Sequence, residues 1–543
     1  MPMLRTSSEA FPASKKLMRD IPYVLRVGFG DLATDVTKIV GMPISCQKCG
    51  GFLMSVEQVK EDSKVGKHFN CAFCGTLNVI VGEVILAGAD TDFEIKPAPD
   101  RTETGTDTIS VGGKSFLALI DVSGSMSGAN LSAVKRSLTT SIDSIAANAP
   151  DTQFGLIEFE SSVLYRNLET GEAIQLPYES FPSLDSIVNE TKKLLDKIKL
   201  IGVGKHSDKL KHHVSSLHDQ GGTALGPAVA MASVIAKHRN VGRVVLLTDG
   251  LANEGIGALE GYQVTPANAF YEALGKTFME LGTAVDVVGI ASGSGMELKT
   301  LGLLSEATGG QMYYVTPNEL DKSMSELAGA SLLGRDVEVK LITPSGVNVK
   351  DASGVSRAVI DNLTKNKESK MGAVGEDHEL YFEVEPESEI KEPEVPIQVQ
   401  VSYTDEKGAR RVRAVTATMK VTKKEDEVME TLDPTLGATF VTQKAGEESF
   451  RGGSEGRSKG KKRIGAFRSA MKEMAKAAPA PARAQYEKAD KALEAEENEM
   501  DKLDEIMEEA PSGAPSAAAD QAYTKGLAQM RKSSKQMYED DEE

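Results

Sequence analysis

The hydrophobic pattern of the 543-residue chain changes twice along its length. In residues 115–315, short apolar runs such as FLALID and GRVVLLTD alternate with longer stretches whose apolar residues recur every three or four positions. The stretch from Asn130 to Ala147 is one of these. Short apolar runs are typical of buried strands and the wider spacing of amphipathic helices. The region is therefore predicted to be a parallel sheet covered by helices on both faces.

Strand patterns dominate on either side of that region. Ile397, Val399, Val401 and Tyr403 alternate strictly with polar residues, and the turn sequence TDEKG follows them. Two further apolar segments, IPYVLRVGF and LNVIVGEVILAG, lie near the N-terminus. Together these segments predict a half-buried antiparallel sheet that belongs to a β-sandwich.

The C-terminal part of the chain is polar and helical in pattern. Tyr486, Leu493, Met500 and Met507 repeat every seven residues along an imperfect seam, which predicts a short docking helix rather than a sustained coiled coil. The preceding segment FRGGSEGRSKGKKR is predicted to be a solvated linker, with binding to acidic lipid or RNA as the alternative. The acidic end of the chain is predicted to be mostly disordered.

All four cysteines fall in two pairs, Cys46 with Cys49 and Cys71 with Cys74. The N-terminal residues carry no apolar segment of a secretion signal, so zinc is favoured over disulfides and over redox dithiols. Four thiolates complete a tetrahedral shell without an open position, which predicts a structural zinc ribbon. His68 is close in sequence, but the shell does not need it and a surface position is expected.

Charge and motifs narrow the possible functions. The formal net charge of -18 opposes non-specific binding to nucleic acid. No apolar run is long enough to span a membrane, and a cytoplasmic protein is expected. HExxH is absent, GxSxG occurs only in the basic linker, and Lys199 stands where a phosphate loop before Gly204 needs glycine. A non-enzymatic protein is therefore expected.

Three segments place oxygen-bearing side chains where the βα turns of one sheet would meet. Asp121, Ser123 and Ser125 follow an apolar run, Thr223 precedes an apolar helix, and Asp249 ends a buried strand. Open α/β sheets bind ligands at this edge. Such oxygens suit Mg²⁺ or Mn²⁺, although the first segment alone is equally well explained as a polar turn.

Four histidines form a separate group in the Lys-rich segment before Thr223. A solvated insertion is the favoured interpretation, and a second metal site is the alternative. The histidines are His206, His212, His213 and His218.

The five oxygen-bearing residues resemble the metal-ion-dependent adhesion site of the von Willebrand factor type A domain. The resemblance implies that Ser123, Ser125 and Thr223 contact the metal directly, while Asp121 and Asp249 hold it through water. It also implies that a carboxylate of a partner protein completes the coordination shell. A metal ion held largely by neutral hydroxyls stays electrophilic, which gives the physical reason.

The order of parts resembles the COPII inner-coat subunits, which form vesicles leaving the endoplasmic reticulum. Those subunits also combine a β-sandwich, a four-cysteine ribbon, an A-type trunk domain and returning sandwich strands. They carry a long helical region and a gelsolin-like domain, where only a short helical stretch and a tail are expected here. Their metal site is usually eroded, whereas this one is intact. The chain is thus expected to be a divergent relative.

The predicted fold class is multidomain α/β plus β, with a Rossmann-like A-type domain, a zinc ribbon, an antiparallel β-sandwich and a helical C-terminal tail. The predicted divisions are a disordered N-terminus (1–14), first sandwich strands (15–44), ribbon (45–78), sandwich strands and linker (79–112), A-type domain (113–330), sandwich (331–424), helical region with basic linker (425–509) and acidic, mostly disordered tail (510–543).

Two functions follow as hypotheses. The first is an adaptor that binds a partner protein's acidic residue through Mg²⁺ on the A-type domain. The alternative is a COPII-like coat component in transport from the endoplasmic reticulum to the Golgi. The alternative implies coat subunits or a small GTPase as partners and peripheral association with membranes.

Overall fold

A computed structural model describes residues 3–18, 21–34, 36–82, 84–86, 91–95, 115–259, 264–293, 295–329, 332–405, 408–478, 480–508 and 516–538. Three predicted segments lie outside these residues. They are the linker DRTETGTDTISVGG and the two ends of the predicted tail, 510–515 and 539–543. Within the described residues the chain forms four sheets and a set of C-terminal helices.

The strands are numbered in chain order. They are β1 (Leu4–Thr6), β2 (Ala10–Pro12), β3 (Val24–Gly28), β4 (Thr37–Val40), β5 (Val59–Asp62), β6 (Gly66–Asn70), β7 (Leu77–Val79), β8 (Thr91–Ile95), β9 (Ser115–Asp121), β10 (Gln153–Phe159), β11 (Val163–Arg166), β12 (Ala173–Gln175), β13 (Ile201–Gly202), β14 (Arg243–Thr248), β15 (Ala284–Ile290), β16 (Met312–Val315), β17 (Leu332–Ile342), β18 (Val347–Ser353), β19 (Glu368–Gly375), β20 (Glu379–Pro386), β21 (Glu394–Thr404) and β22 (Arg410–Thr422).

The α-helices are numbered in the same way. They are α1 (Ala129–Asn148), α2 (Leu184–Leu194), α3 (Val203–Ser216), α4 (Leu225–Arg239), α5 (Val264–Glu280), α6 (Leu298–Thr308), α7 (Leu320–Gly329), α8 (Arg357–Asn366), α9 (Glu425–Glu430), α10 (Pro434–Ala477), α11 (Ala480–Glu508), α12 (Ala517–Met530) and α13 (Ser534–Tyr538).

Residues 115–329 form a parallel-sheet domain, as the alternating pattern predicts. Its sheet has the strand order β12-β11-β10-β9-β14-β15-β16, with β13 added to β10. The five strands from β10 to β16 in this order run parallel, and separate apolar cores fill the two faces of the sheet. Strands buried on both faces explain why the sequence shows continuous apolar runs here rather than alternation.

The other strands build the predicted sandwich and ribbon. One sandwich sheet has the order β1-β3-β20-β18, and the other has the order β19-β17-β21-β22-β8-β4 with β2 beside β22. The ribbon sheet β5-β6-β7 is fixed to the sandwich by side chains of β21. The Phe52 amide donates to Gln398 Oε1 over 2.8 Å, and Gln400 Nε2 donates to the Gly50 carbonyl over 2.8 Å. The predicted fold class is confirmed.

The described residues 3–14 contain two strands, which corrects the prediction of a disordered segment at 1–14. β1 pairs with β3, and β2 pairs with β22. Phe11 is fully buried with its ring edge against Tyr23, and the Tyr23 hydroxyl donates to the Ser8 carbonyl over 2.5 Å. Few apolar residues mark this segment in the sequence, because it only completes sheets that are formed by distant strands.

The predicted basic linker is helical and lies within α10, which folds back on itself at Gly453. A Cβ atom at Gly456 would lie 1.9 Å from the Glu448 carbonyl oxygen, and one at Gly460 would lie 2.7 Å from the Met500 side chain. The glycines therefore let the arms of the hairpin and α11 approach closely, instead of making the chain flexible. As predicted, α11 is a docking helix, with Tyr486, Leu493 and Met500 buried.

The C-terminal segment 516–538 is also ordered, although a mostly disordered tail is predicted from 510. It packs along α6 of the parallel-sheet domain. Asp520 accepts hydrogen bonds from the Met296 and Leu298 amides, over 2.5 and 2.8 Å, at the start of α6. Arg531 donates to the carbonyls of Ser305, over 2.8 Å, and Gly310 at its end. The two charges complement the two ends of the helix dipole.

Between these ends, the Tyr523 ring occupies the space that a side chain at residue 302 would need. A Cβ atom at Gly302 would lie 2.5 Å from the ring. Tyr523 also packs against Phe450 of α10, with 4.2 Å between ring centroids. The docking thus depends on partners far away in sequence, which a scan of composition cannot detect.

Among the described helices, none has both the length and the apolar character needed to cross a lipid bilayer.

Candidate functional site

The polar edge of the parallel sheet brings the predicted adhesion-site residues together. Asp121 is the last residue of β9, and Asp249 follows β14 directly. These strands are neighbours and run parallel, so their carboxyl ends meet at one edge. Ser123 and Ser125 lie in the short turn between β9 and α1, and Thr223 lies just before α4.

Hydrogen bonds link four of these residues into one cluster. The Ser123 amide donates to Asp121 Oδ1 over 2.8 Å, and the Ser125 hydroxyl donates to Asp249 Oδ1 over 2.6 Å. The hydroxyl oxygens of Ser123 and Ser125 are 3.0 Å apart. The two serines of the turn therefore lie beside the carboxylates of Asp121 and Asp249.

Thr223 joins this edge through its backbone. Its amide donates to Asn253 Oδ1 over 2.9 Å, and its carbonyl accepts from the Asn253 amide over 3.1 Å. Two positions earlier in the same loop, the Gly221 carbonyl accepts from the Gly124 amide over 3.1 Å. Gly221 has a φ of +69°, the left-handed region that glycine tolerates best. The Thr223 loop is thus tied directly to the serine turn.

Two further residues, which the sequence motifs do not mark, complete the cluster. The Thr248 hydroxyl donates to Asp121 Oδ2 over 2.5 Å, and Asn130 Nδ2 donates to Asp249 Oδ2 over 2.5 Å. Thr248 precedes Asp249 directly in the sequence, and Asn130 is a buried amide in the first turn of α1. In the sequence, only the polar side chains at these two positions could have indicated that they belong to the site.

The cluster is electrostatically unusual. Asp121 and Asp249 are fully buried. Burial raises the pKa of Asp121 to about 6, although hydrogen bonds from Ser123 and Thr248 act in the opposite direction. Burial also raises the pKa of Asp249. In the described part of the chain, no Lys, Arg or His forms an ion pair with either carboxylate. Two buried carboxylates surrounded by hydroxyls form a donor set that fits a hard divalent cation.

The four cysteines form the second candidate centre. Their sulfur atoms all lie within 4.8 Å of one another, and all four thiols are free. Sulfur atoms of Cys46 and Cys74 are 3.6 Å apart, and those of Cys49 and Cys71 are 3.5 Å apart. Zn–S bonds of about 2.3 Å in a tetrahedron place the sulfurs slightly less than 4 Å apart, so the residues fit a zinc ion.

Among the described residues, no histidine lies in a group of three or more His, Cys, Asp and Glu side chains that could share a metal ion. The cysteine group is the one cluster of His, Cys, Asp and Glu close enough for a metal ion among the residues that the structure describes. His68 Nδ1 lies 2.9 Å from the Gly66 carbonyl, outside the cysteine group. His213 lies in α3 and bonds to Glu158, which also accepts from Arg166 over 2.9 Å. Burial would raise the pKa of Glu158, but the bonds from His213 and Arg166 lower it overall.

A comparison with protein families identifies the parallel-sheet domain. Residues 113–329 match the family model described as the Sec23/Sec24 trunk domain. This part of the chain is therefore similar to a Sec23/Sec24 trunk domain, which agrees with the predicted trunk-like region.

Curated relatives extend the likeness beyond the trunk domain. Circularly permutated Ras protein 1 of Dictyostelium discoideum is 26% identical over 434 residues, covering 74% of this chain and 50% of that protein. Protein transport protein SEC24 of Kluyveromyces lactis is 21% identical over 457 residues, covering 76% of this chain and 47% of that protein. The chain therefore spans about half the length of the curated relatives it matches.

Among solved structures, the human COPII-coat protein Sec24c has a similar fold. The TM-score is 0.68 at 14% identity, and the match covers 97% of this chain and 75% of the Sec24c chain. The fold likeness therefore includes the ribbon, the sandwich and the C-terminal helices as well as the trunk domain. The helical region is more extensive than the short stretch that the sequence predicts.

Proposed function

We propose that this chain acts as a Sec24-like component of a vesicle coat that carries proteins from the endoplasmic reticulum to the Golgi. The observation that carries the proposal is the extent of the fold likeness to Sec24c, which covers 97% of this chain. A shared trunk domain alone would leave the role open, since one fold serves many functions. In this role the chain is a non-enzymatic adaptor at the membrane surface, and its partners are other coat subunits, a small GTPase and transported proteins.

The buried edge of the trunk domain favours one addition to this role. Asp121 and Asp249 are buried and have no cationic partner among the residues that the structure describes, and a bound Mg²⁺ or Mn²⁺ would compensate their charge. Ser123, Ser125 and Thr223 would hold the ion directly, and the carboxylates would hold it through water. The ion would supply an electrophilic position for the carboxylate of a partner protein. In the ribbon, Cys46, Cys49, Cys71 and Cys74 would hold a structural Zn²⁺.

Recruitment to membranes tests the coat role. The protein is incubated with liposomes, purified inner-coat partner subunit and an activated Arf-like GTPase, and bound protein is measured after flotation. Binding that requires both the GTPase and the partner subunit is expected. If the chain neither floats with the liposomes nor co-purifies with coat subunits from lysate, the coat role is wrong.

A second experiment tests the metal-dependent contact independently. Proteins are captured from lysate with wild type and Asp121→Asn, in Mg²⁺ and in EDTA. Asp219→Asn, which changes an exposed carboxylate beside the same edge, is the matched control. We expect a set of captured proteins that disappears in EDTA and with Asp121→Asn but stays with Asp219→Asn. An identical set in all samples contradicts the metal-dependent contact and leaves the liposome result unaffected.

A further inference from the structure

A cleft of about 540 Å³ lies where the trunk domain, the sandwich and the C-terminal helices meet. One wall is formed by Gln311 and by all four residues of strand β16, which follows it directly. The opposite wall is formed by α11 and by α12, and residues of the C-terminal segment after α12 extend it. A volume of this size is in the range of ligand-binding sites in proteins.

Strand β16 exposes a hydrogen-bonding edge to this cleft. It is the last strand of the trunk sheet, and within the described residues it pairs with β15 alone. The carbonyls of Gln311 and Val315 accept from Val287 and Ala291 over 2.9 and 2.8 Å. Backbone groups of a strand alternate between its two sides, so Met312 and Tyr314 direct their N–H and C=O groups away from β15. These four groups are the unpaired edge of the sheet.

The side chains on the two faces of strand β16 have different surroundings. Met312 and Tyr314 pack in the core that includes Tyr523, Leu527 and Met530 of α12. Tyr313 and Val315 pack in the core on the α7 side, and the Tyr313 hydroxyl contacts Glu326 of α7. The apolar residues that line the opposite wall are Met500 and Leu503 of α11 and Ala528 of α12. A strand added to β16 would therefore point alternate side chains toward these residues and toward Glu326.

The charges around the cleft are unbalanced. Five carboxylates but three cationic side chains line it. The lysines are engaged, because Lys532 pairs with Glu496 over 2.6 Å and Lys525 pairs with Glu499 over 3.3 Å. Glu326 and Asp377 are exposed at the cleft, and neither forms an ion pair with another described residue. Because Glu379 pairs with Arg26 and Arg531 keeps one positive charge, the excess negative charge of the cleft is small and belongs to Glu326 and Asp377.

We propose that this cleft binds an extended peptide segment of a partner protein in which Lys or Arg alternates with apolar residues. The segment adds to β16 as a further strand through the backbone groups of Met312 and Tyr314. Its cationic side chains face Glu326 and Asp377, and its apolar side chains face Met500, Leu503 and Ala528. Asp520 and Arg531 hold α12 in place beside β16, so the wall of the cleft is preformed. The site lies at a different edge from Asp121 and does not depend on the coat role.

Synthetic peptides test the proposal directly. A fluorescein-labelled octapeptide of alternating Lys and Val is titrated with the full chain, and binding is followed by fluorescence anisotropy. A Glu/Val octapeptide is the control of opposite charge. Two further Lys/Val peptides carry backbone N-methyl groups, one on every Lys and the other on every Val. In an added strand, one of these two sets faces β16 and the other faces away.

We expect the Lys/Val peptide to bind at least about tenfold more tightly than the Glu/Val peptide. One N-methylated peptide should lose binding while the other keeps it. If both N-methylated peptides bind like the parent peptide, the contact is only electrostatic and the strand addition is wrong. Absence of binding by the Lys/Val peptide at millimolar concentration also overturns the proposal.

Variants locate the site on the protein. The double variant Glu326→Gln with Asp377→Asn should weaken Lys/Val binding about fivefold or more. The control is Glu179→Gln with Asp185→Asn, which removes the same charge from exposed positions elsewhere in the trunk domain. Equal weakening by both double variants would show that net charge alone drives the binding, and the cleft would then not be the site.

Discussion

The four-cysteine ribbon and the C-terminal segment 516–538 are both small peripheral pieces, but they are held in place differently. The ribbon has a core of its own around Cys46, Phe69 and Cys71, to which the sandwich adds Ile342. The C-terminal segment has none and contributes Tyr523, Leu527 and Met530 to the core of the trunk domain. The ribbon depends on ligands that are close in sequence, whereas the segment depends on a surface that is distant in sequence.

The largest expected effect is on the ribbon. Cys46→Ser removes one of four thiolates, and binding of a structural zinc contributes about 10 kcal/mol to the folding of such small domains. We expect about one zinc per chain in the wild type and none in the variant. Hydrogen exchange should show loss of protection in β5, β6 and β7, while the trunk strands stay protected.

The control for this variant is Gln47→Ser, which changes an exposed residue between the first two cysteines. The Gln47→Ser protein should keep both its zinc and the protection of β5, β6 and β7 from hydrogen exchange. A wild type without zinc, or a Cys46→Ser ribbon that stays protected, would show that packing on the sandwich rather than a metal holds the ribbon.

The next largest effect is expected where the C-terminal segment packs on α6. Tyr523→Ala removes a buried ring that contacts Phe450 and Gly302, and such truncations cost about 3–5 kcal/mol. Urea unfolding measures the loss. If the segment were weakly docked, the variant would unfold at the same urea concentration as the wild type.

Gly302 provides a sharper test of the same contact. In the wild type, Gly302→Ala brings a methyl group against the Tyr523 ring and should destabilise the protein. In the Tyr523→Ala background that clash is gone, and alanine should stabilise α6 by about 1 kcal/mol because it is the better helix former. A change of the same sign in both backgrounds would mean that the ring does not occupy this position in solution.

These contacts explain which parts of the structure were predictable. The alternation of apolar runs and helical stripes predicted the parallel sheet, because burial on both faces leaves a local signature in β9 and β14. The spacing of the cysteines predicted the ribbon, because it too is a local signature in the sequence. For the adhesion-site residues, the turn at Asp121 and the strand end at Asp249 are each marked by local polarity, and the structure brings them together. Occupancy by a metal ion stays a prediction.

The regions that were predicted wrongly share one property. The N-terminal strands, the glycine-rich hairpin at Gly453 and the C-terminal segment are all ordered by residues far away in the chain. Glycines at 456 and 460 resemble a flexible linker in sequence, yet they permit close helix packing. Gly302, whose missing side chain makes room for Tyr523, carries no signal in the C-terminal sequence itself. The composition of a segment indicates only its local conformational preference, and tertiary contacts override that preference in these three regions.

The last expected effect is a pH dependence where the C-terminal segment meets the trunk domain and the sandwich. His378 Nδ1 accepts from the Gly375 amide over 2.8 Å, and the Nε2–H group donates to the Gly309 carbonyl over 3.0 Å. The bond from Gly375 requires the neutral ring, because a protonated Nδ1 cannot accept a hydrogen bond. Burial lowers the pKa of His378 to about 4, and the nearby charges of Arg531 and Arg243 act in the same direction.

Because the folded-state pKa lies below the ordinary value of about 6.5, protonation favours the unfolded chain. The stabilisation is fully present above pH 6.5 and is lost as the pH falls toward 4, with about 2 kcal/mol lost between pH 7 and pH 5. His378→Gln keeps one acceptor and one donor without a titrating group. Urea unfolding of both proteins at pH 7 and pH 5 isolates the effect, since all other titrations are shared. The wild type should lose about 2 kcal/mol more than the variant, and equal losses would mean that His378 is not held neutral beside Arg531.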